Sequence, residues 1–138
     1  GIFFRKTQGL VMIYGLGTDI VDIRRIRRIV NKYQYRFKKK CFHKSEIERS
    51  EKKFNSIESY AKRYAAKEAC AKALGTGLAR GVYWKDIEII NNKYGKPSIN
   101  LHKNAKRFLN SNLPKKAKIE VSLSDEKDFA IANVVIFK

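Results

Sequence analysis

Residues 57–77 read IESYAKRYAAKEACAKALGTG and are the most informative stretch of the sequence. Small and apolar side chains recur there at helical spacing without a proline, and Gly75 and Gly77 supply the usual end of a helix. We therefore predict a long helix from Ile57 to Leu74. The other elements are expected to pack around it.

One carboxylate of this predicted helix is out of place. At about 100° per residue, Glu68 falls near the middle of the apolar stripe of the helix. Burying an unpaired ion costs several kcal/mol, whereas an i,i+4 pair with Lys72 contributes only about 0.2–0.5 kcal/mol. Either the stripe opens onto a cleft or Glu68 meets a cation, and we favour a functional carboxylate over a cleft-lining one without a special role.

The rest of the chain predicts an α+β class, with a small, mostly antiparallel sheet packed on the long helix in a single domain. The predicted elements are a strand over Ile13–Ile20, a basic helix after the N-cap Asp22, a polar stretch over His43–Asn55, strands over Ile87–Ile90 and Ser98–Leu101, a short helix over Asn104–Asn110, and a hairpin of Lys118–Leu123 and Phe129–Phe137. Residues 1–11 precede the only methionine and are set aside as an expression remnant or an extension, so the domain is expected to span 12–138.

The charge of the chain predicts an anionic partner. Lysine and arginine total 31 against 13 acidic residues, a net charge of +18. Nucleic acid, a phosphorylated small molecule, an acidic protein or an anionic membrane would all suit this charge. Between Ile23 and Ser45 the basic residues meet no acid, and we expect the basic helix to dock an acidic partner rather than only face solvent.

Several classes of protein are disfavoured. No apolar run is long enough to cross a membrane, so membrane insertion is not expected. Cys41 and Cys70 have no redox or metal spacing, which predicts a reducing, cytoplasmic setting. With only His43 and His102 in the sequence, a zinc cluster is not expected either.

A second carboxylate, Asp19, lies in the early strand. Alternation places it on the same side as Gly15 and Gly17. It is either a strand-end carboxylate bonded to the amides of the next helix, or a hard-cation ligand beside two glycines that let a phosphate approach. The candidate phosphate contacts around Glu68 are Arg63, Lys67, Lys72 and the segment Gly75-Thr76-Gly77.

These motifs together resemble a known family. The segments that carry the resemblance are Gly15–Val21 with Arg25, Arg63–Ala73 followed by Gly75–Gly77, Asp86–Glu88, Gly95–Pro97 and Val121–Asp125. In combination they are similar to the holo-acyl-carrier-protein synthases of the 4′-phosphopantetheinyl transferase superfamily. The resemblance covers about Met12 to Lys138, and it implies the fold of the 4′-phosphopantetheinyl transferases for this part of the chain.

The resemblance implies a reaction and a set of site residues. Members transfer the phosphopantetheine arm of coenzyme A to a serine of an apo acyl carrier protein, in fatty acid biosynthesis, and release adenosine 3′,5′-bisphosphate. Asp19 and Glu68 match the Mg²⁺ ligands, and Lys72 is expected to act on the leaving phosphate. The implied coenzyme A contacts are Arg63, Lys72, Gly75, Thr76, Gly95, Lys96 and Pro97. The implied carrier-protein contacts are Arg24, Arg25, Arg28 and Lys32. A homotrimer with sites between subunits is a further implication.

The sequence departs from the family in two places. Many members have histidine where this chain has Asp125, which removes a histidine base there and leaves the proton acceptor open. The segment Tyr33–Phe37 carries an extra residue, so contacts beyond Lys32 are not transferred.

Two other functions compete with the enzyme. A ribosomal-type nucleic-acid-binding module would use the charge and the aromatic residues interleaved with basic ones at 33–37. Against it, two carboxylates in a phosphate site repel a nucleic-acid backbone unless a metal intervenes. A non-catalytic adaptor for an acidic protein would not explain why Glu68 lies in the apolar stripe of the helix.

Overall fold

The computed structural model describes residues 10–138, so most of the proposed N-terminal extension lies outside the described residues. The elements in chain order are β1 (Ile13–Asp22), α1 (Ile23–Tyr33), α2 (Tyr35–Cys41), α3 (Lys44–Glu51), α4 (Ser56–Leu74), β2 (Ile87–Asn91), β3 (Pro97–Leu101), α5 (Lys103–Asn112), β4 (Lys118–Glu126) and β5 (Phe129–Phe137). The predicted α+β class is confirmed.

Helix α4 is the centre of the molecule. Most of its residues are buried, on more than the single stripe that the sequence predicts, because β1 and β5 cover one side and α1, α3 and β2 cover others. The helix ends at Gly75, whose φ of 87° turns the chain and whose N–H bonds to the carbonyls of Ala71 and Lys72. This end is the one predicted from the sequence.

The strands form two antiparallel sheets rather than one. The larger sheet has the order β1-β5-β4, and β2 pairs with β3 across the turn that follows Asn91. The inner face of the larger sheet lies against α4, where Val21, Ala132 and Val134 are buried. Its outer face exposes Leu16 and Ile20 at 70% and 61%.

The predicted polar stretch contains a helix that its composition did not suggest. Helix α3 occupies Lys44–Glu51, and its first turn is closed by the N–H of His43 donating to Glu46 Oε1 at 2.9 Å. The usual hydroxyl or carboxylate N-cap is replaced by histidine, so the start signal was missed.

Among the described residues, no helix is long and apolar enough to cross a membrane.

Candidate active site

Strand β1 and helix α4 bring the two predicted metal ligands to one place. Asp19 faces inward from β1, and Glu68 lies partly buried on α4. One turn after Glu68, Lys72 Nζ lies 3.1 Å from Asp19 Oδ1 and donates to the carbonyl of Thr18 at 2.9 Å. Lys72 therefore pairs with the carboxylate of the strand rather than with Glu68 of its own helix.

The electrostatics of this pair favour a bound cation. Burial raises the pKa of the Glu68 carboxyl above its ordinary value, and the negative charge of Asp19 raises it further. A hydrogen bond from Tyr64 and the charge of Arg25 oppose this shift. Two close carboxylates, one of them poorly solvated, form the oxygen donor set that Mg²⁺ takes together with phosphate oxygens and water. The residues present fit that ion.

The two glycines beside Asp19 have a different role from the one expected. A Cβ at Gly17 would lie 1.9 Å from the carbonyl oxygen of Ala69, and one at Gly15 would lie 2.1 Å from that of Ala73. Both glycines therefore let β1 pack directly on the backbone of α4. The expectation that they admit a phosphate was wrong, because that space is filled by the helix.

A second group of predicted residues lines a cationic cavity of about 240 Å³ at the other end of α4. Arg63, Gly95 and Pro97, three of the coenzyme A contacts expected from the resemblance, line this cavity together. Arg63 is only 4% exposed and donates to the carbonyl of Ile89 at 2.6 Å and to Asn91 Oδ1 at 2.5 Å. The sequence reasoning missed several polar and basic lining residues, which are Arg49, Lys53, Asn55, Ser59, Lys62 and Asn91.

Two guanidinium nitrogens of this cavity are buried without a hydrogen-bond partner among the described residues, the Nε atoms of Arg49 and Arg63. Donors left in this way favour an anion, because a phosphate oxygen accepts hydrogen bonds from a guanidinium. Arg49 lies in helix α3. It was not predicted as a site residue, because no helix was predicted for that stretch of the sequence.

Lys67 does not belong to either group. Its side chain is fully buried, and its Nζ donates to Glu46 Oε1 at 2.7 Å and to the carbonyls of Trp84 and Ile87. The expectation that Lys67 is one of the phosphate contacts around Glu68 was wrong. Its partner on α3 lies 21 residues away in sequence, and the pair joins α3 to α4.

The coenzyme A contacts implied by the resemblance fall into two sets. Arg63 and Gly75 lie twelve positions apart on or just after α4, which is about 18 Å along a helix. Gly75 and Thr76 lie near Lys72 in sequence, whereas Gly95 and Pro97 line the cavity with Arg63. The Lys96 side chain is exposed and lies 3.7 Å from Glu120.

Helix α1 carries the predicted docking residues on its exposed side. Arg24 is already engaged, with ion pairs of 2.9 Å to Asp22 and 3.4 Å to Asp128. Arg28 and Lys32 are exposed. Arg25 lies 5.8 Å from the ring of Tyr64, beside Glu68, so α1 connects the cationic surface with the carboxylate pair.

Asp125, the position at which the resemblance led us to expect histidine in many members, is exposed near the end of β4. It lies 3.6 Å from Lys62, one of the residues that line the cationic cavity. Asp125 therefore lies next to a lining residue of the cavity.

Comparisons with known proteins identify the family. The model of the 4′-phosphopantetheinyl transferase superfamily matches residues 15–134. The holo-[acyl-carrier-protein] synthase of Rhizobium meliloti (strain 1021) is 46% identical over 127 residues, 91% of each chain. The crystal structure of the Neisseria meningitidis synthase has a TM-score of 0.83 at 35% identity, over 92% of this chain and 100% of its own. The Helicobacter pylori synthase in complex with coenzyme A has a TM-score of 0.74 at 34% identity, over 88% and 98%. This chain, with its paired carboxylates and basic first helix, thus belongs to the holo-[acyl-carrier-protein] synthases of the 4′-phosphopantetheinyl transferase superfamily.

Proposed function

We propose that this enzyme is Mg²⁺-dependent and transfers 4′-phosphopantetheine from coenzyme A to a serine of an apo acyl carrier protein. The observation that carries the proposal is the meeting of Asp19, Glu68 and Lys72 between β1 and α4. A Mg²⁺ ion there would neutralise charge on the pyrophosphate of coenzyme A. The alternative of a nucleic-acid-binding module is not favoured, since the family is that of a transferase.

The bond changes define what the residues do. The serine oxygen forms a bond to the β-phosphorus of coenzyme A, and the bond from that phosphorus to the bridging oxygen breaks. Adenosine 3′,5′-bisphosphate leaves with the electron pair. Lys72 lies beside Asp19, and its proposed role is to stabilise or protonate this leaving group.

Asp19 and Glu68 are proposed to hold the ion, and either a carboxylate or a water molecule polarised by the ion would accept the serine proton. Burial and then the negative charge of Asp19 raise the pKa of Glu68, and a bound cation would relieve the repulsion between the two carboxylates.

The cationic cavity around Arg63 is proposed to bind a phosphate of coenzyme A. Arg49, Arg63 and Lys62 supply positive charge there, and two buried Nε donors have no hydrogen-bond partner within residues 10–138. Coenzyme A carries a 3′-phosphate besides its pyrophosphate, so an extended molecule has anionic groups for two separate sites.

The exposed outer face of the larger sheet supports the proposed homotrimer. Leu16, Ile20 and Phe129 project from one side of β1 and β5, at 70%, 61% and 43% exposure. Apolar surface of this kind is typical of a protein–protein interface. In the proposed homotrimer, which the resemblance implies has sites between subunits, this face would lie between copies and each site would combine coenzyme A residues of two subunits.

The proposed partner is an acidic carrier protein, and the proposed setting is the cytoplasm. Carrier proteins of fatty acid synthesis are acidic, and the exposed cations of α1 suit such a partner. Buried, unpaired Cys41 and Cys70 are consistent with the cytoplasm.

The proposal is tested by replacing the carboxylates one at a time. Glu68→Gln and Asp19→Asn should each lower the rate of phosphopantetheine transfer at least about a hundredfold. The matched control is Glu58→Gln, because Glu58 lies on the same helix, is also partly exposed and has no place in the site. Transfer is measured by the mass of the carrier protein. Near-normal rates in both carboxylate variants would contradict the proposal.

A further inference from the structure

The two histidines of the chain meet in the fold. His43 precedes α3 and His102 precedes α5, yet their rings stack with centroids 4.5 Å apart and an interplanar angle of 26°. Glu88 of β2 joins them, since its Oε1 lies 2.8 Å from His102 Nε2. The sequence spacing predicted no such cluster, because the three residues come from three separate elements.

The three side chains form a donor set for a borderline metal ion. One donor atom from each of His43, Glu88 and His102 lies within 4.8 Å of the others. Two imidazoles and one carboxylate are a ligand set of catalytic-type zinc sites, which hold the ion with three protein ligands. At bond lengths of about 2.0–2.2 Å, a tetrahedral ion needs donors roughly 3.4 Å apart. Metal binding would therefore require the two partly exposed imidazoles to rotate out of their stacked arrangement, so that the donor atoms move closer together.

The carboxylate is already oriented by neighbours. Ser45 Oγ donates to Glu88 Oε2 at 2.5 Å, and Asn100 Nδ2 lies 3.4 Å from Oε1. Glu88 is only 8% exposed, so its position is set by packing and hydrogen bonds. Outer partners of this kind are what orient ligands at metal sites.

A fourth ligand would come from solvent. Both imidazoles line an open cavity of about 810 Å³, whose rim carries Lys44, Lys85 and Lys103. These cations reduce the affinity for a metal ion but attract a small anion, such as chloride or a carboxylate, to the remaining coordination position.

We propose that His43, Glu88 and His102 bind one divalent transition-metal ion of the Zn²⁺ type, at a site separate from the Asp19–Glu68 pair. Binding joins the start of α3, strand β2 and the start of α5. The ion therefore stabilises the part of the molecule that holds Arg49 and the small sheet, and takes no part in the transfer step.

Co²⁺ is the probe for this site, because its visible absorption reports ligand number and geometry. The purified protein is titrated with Co²⁺ in excess Mg²⁺, which occupies the hard carboxylate site. We expect one equivalent to give the strong bands of four-coordinate Co²⁺, to be displaced by Zn²⁺, and to raise the melting temperature. His102→Ala should weaken binding at least about tenfold, whereas Asp19→Asn should leave it unchanged.

A second measurement does not depend on any variant. With ¹⁵N-labelled histidine the chain gives ring signals from only two residues. Addition of one equivalent of Zn²⁺ should shift the nitrogens of both rings together. Absence of stoichiometric binding, a shift of one ring only, or Co²⁺ spectra unchanged in His102→Ala would each overturn the proposal.

Discussion

Gly17 shows how one residue positions the proposed site. Asp19 reaches Lys72 because β1 lies directly on the backbone of α4, and only a residue without a side chain permits that approach. Asp19 could be singled out from the sequence as a candidate site residue, because a charged side chain in an apolar pattern is unusual. The role of the glycine could not be predicted, because its neighbour Ala69 is distant in sequence.

We predict that Gly17→Ala destabilises the fold by about 3 kcal/mol, the upper part of the usual range for overpacking. The added methyl would lie 1.9 Å from the carbonyl oxygen of Ala69, a backbone atom that cannot rotate away. Gly77→Ala is the control, since no atom lies within 4 Å of a Cβ added there. Only the positive φ of this position would make alanine unfavourable. Urea unfolding measures both. Equal losses of stability would contradict the steric account.

The buried Lys67–Glu46 pair should behave as a unit. Lys67→Met leaves Glu46 buried without its closest cation, and we expect a loss of about 3–5 kcal/mol in the free energy of unfolding. Glu46→Gln should lower the free energy of unfolding much less in the Lys67→Met background than in the wild type. In that background the substitution removes a buried carboxylate that has already lost the charge of Lys67. A double-mutant cycle by urea unfolding measures this coupling. Additive losses would show that the two charges do not stabilise each other.

At the scale of elements, local patterns predicted much of the fold. The sequence placed α4 at 57–74 and the structure has Ser56–Leu74, because glycine ends a helix by a local mechanism. The predicted hairpin strand 129–137 also matches β5. Helices α2 and α3 were missed because their sequences are polar and their ends lack the usual caps.

The candidate site was predictable only where its signal is local. Asp19, Glu68 and Lys72 stand out within short segments, and the structure brings them together. Lys67 looked equivalent to Lys72, but its environment depends on Glu46 of an unpredicted helix. The histidine cluster forms because the residues before α3 and α5 meet strand β2 in the fold, and no spacing in the sequence reveals this contact.

Helix α1 should act mainly on the encounter with the carrier protein. We predict that Arg28→Glu lowers kcat/KM for the carrier about tenfold at low salt, and that the loss shrinks as salt rises, because exposed charges are screened. Lys106→Glu on α5 is the matched control, with the same change of charge at an exposed helical position. Steady-state kinetics at several salt concentrations test this. An equal effect of the two variants would show that only net charge matters.

At the scale of the whole molecule, the outer face of the larger sheet is expected to hold the subunits together. Ile20→Lys places a charge on that face, where Ile20 is 61% exposed in the single chain. We expect the wild type to sediment as a trimer and Ile20→Lys as a monomer. The rate of phosphopantetheine transfer should fall when assembly is lost, because the two sets of coenzyme A residues come from different subunits in the proposed trimer. A wild-type monomer with full activity would contradict the shared site.

The most direct test of the proposed transfer is the intact mass of an apo acyl carrier protein after incubation with the wild-type enzyme, coenzyme A and Mg²⁺. We predict a mass gain of one phosphopantetheine arm, which disappears when a chelator removes the metal and returns when Mg²⁺ is added in excess. A folded enzyme that leaves the mass of several apo carrier proteins unchanged would contradict the transfer itself. A gain that persists with chelator would contradict the metal role of Asp19 and Glu68.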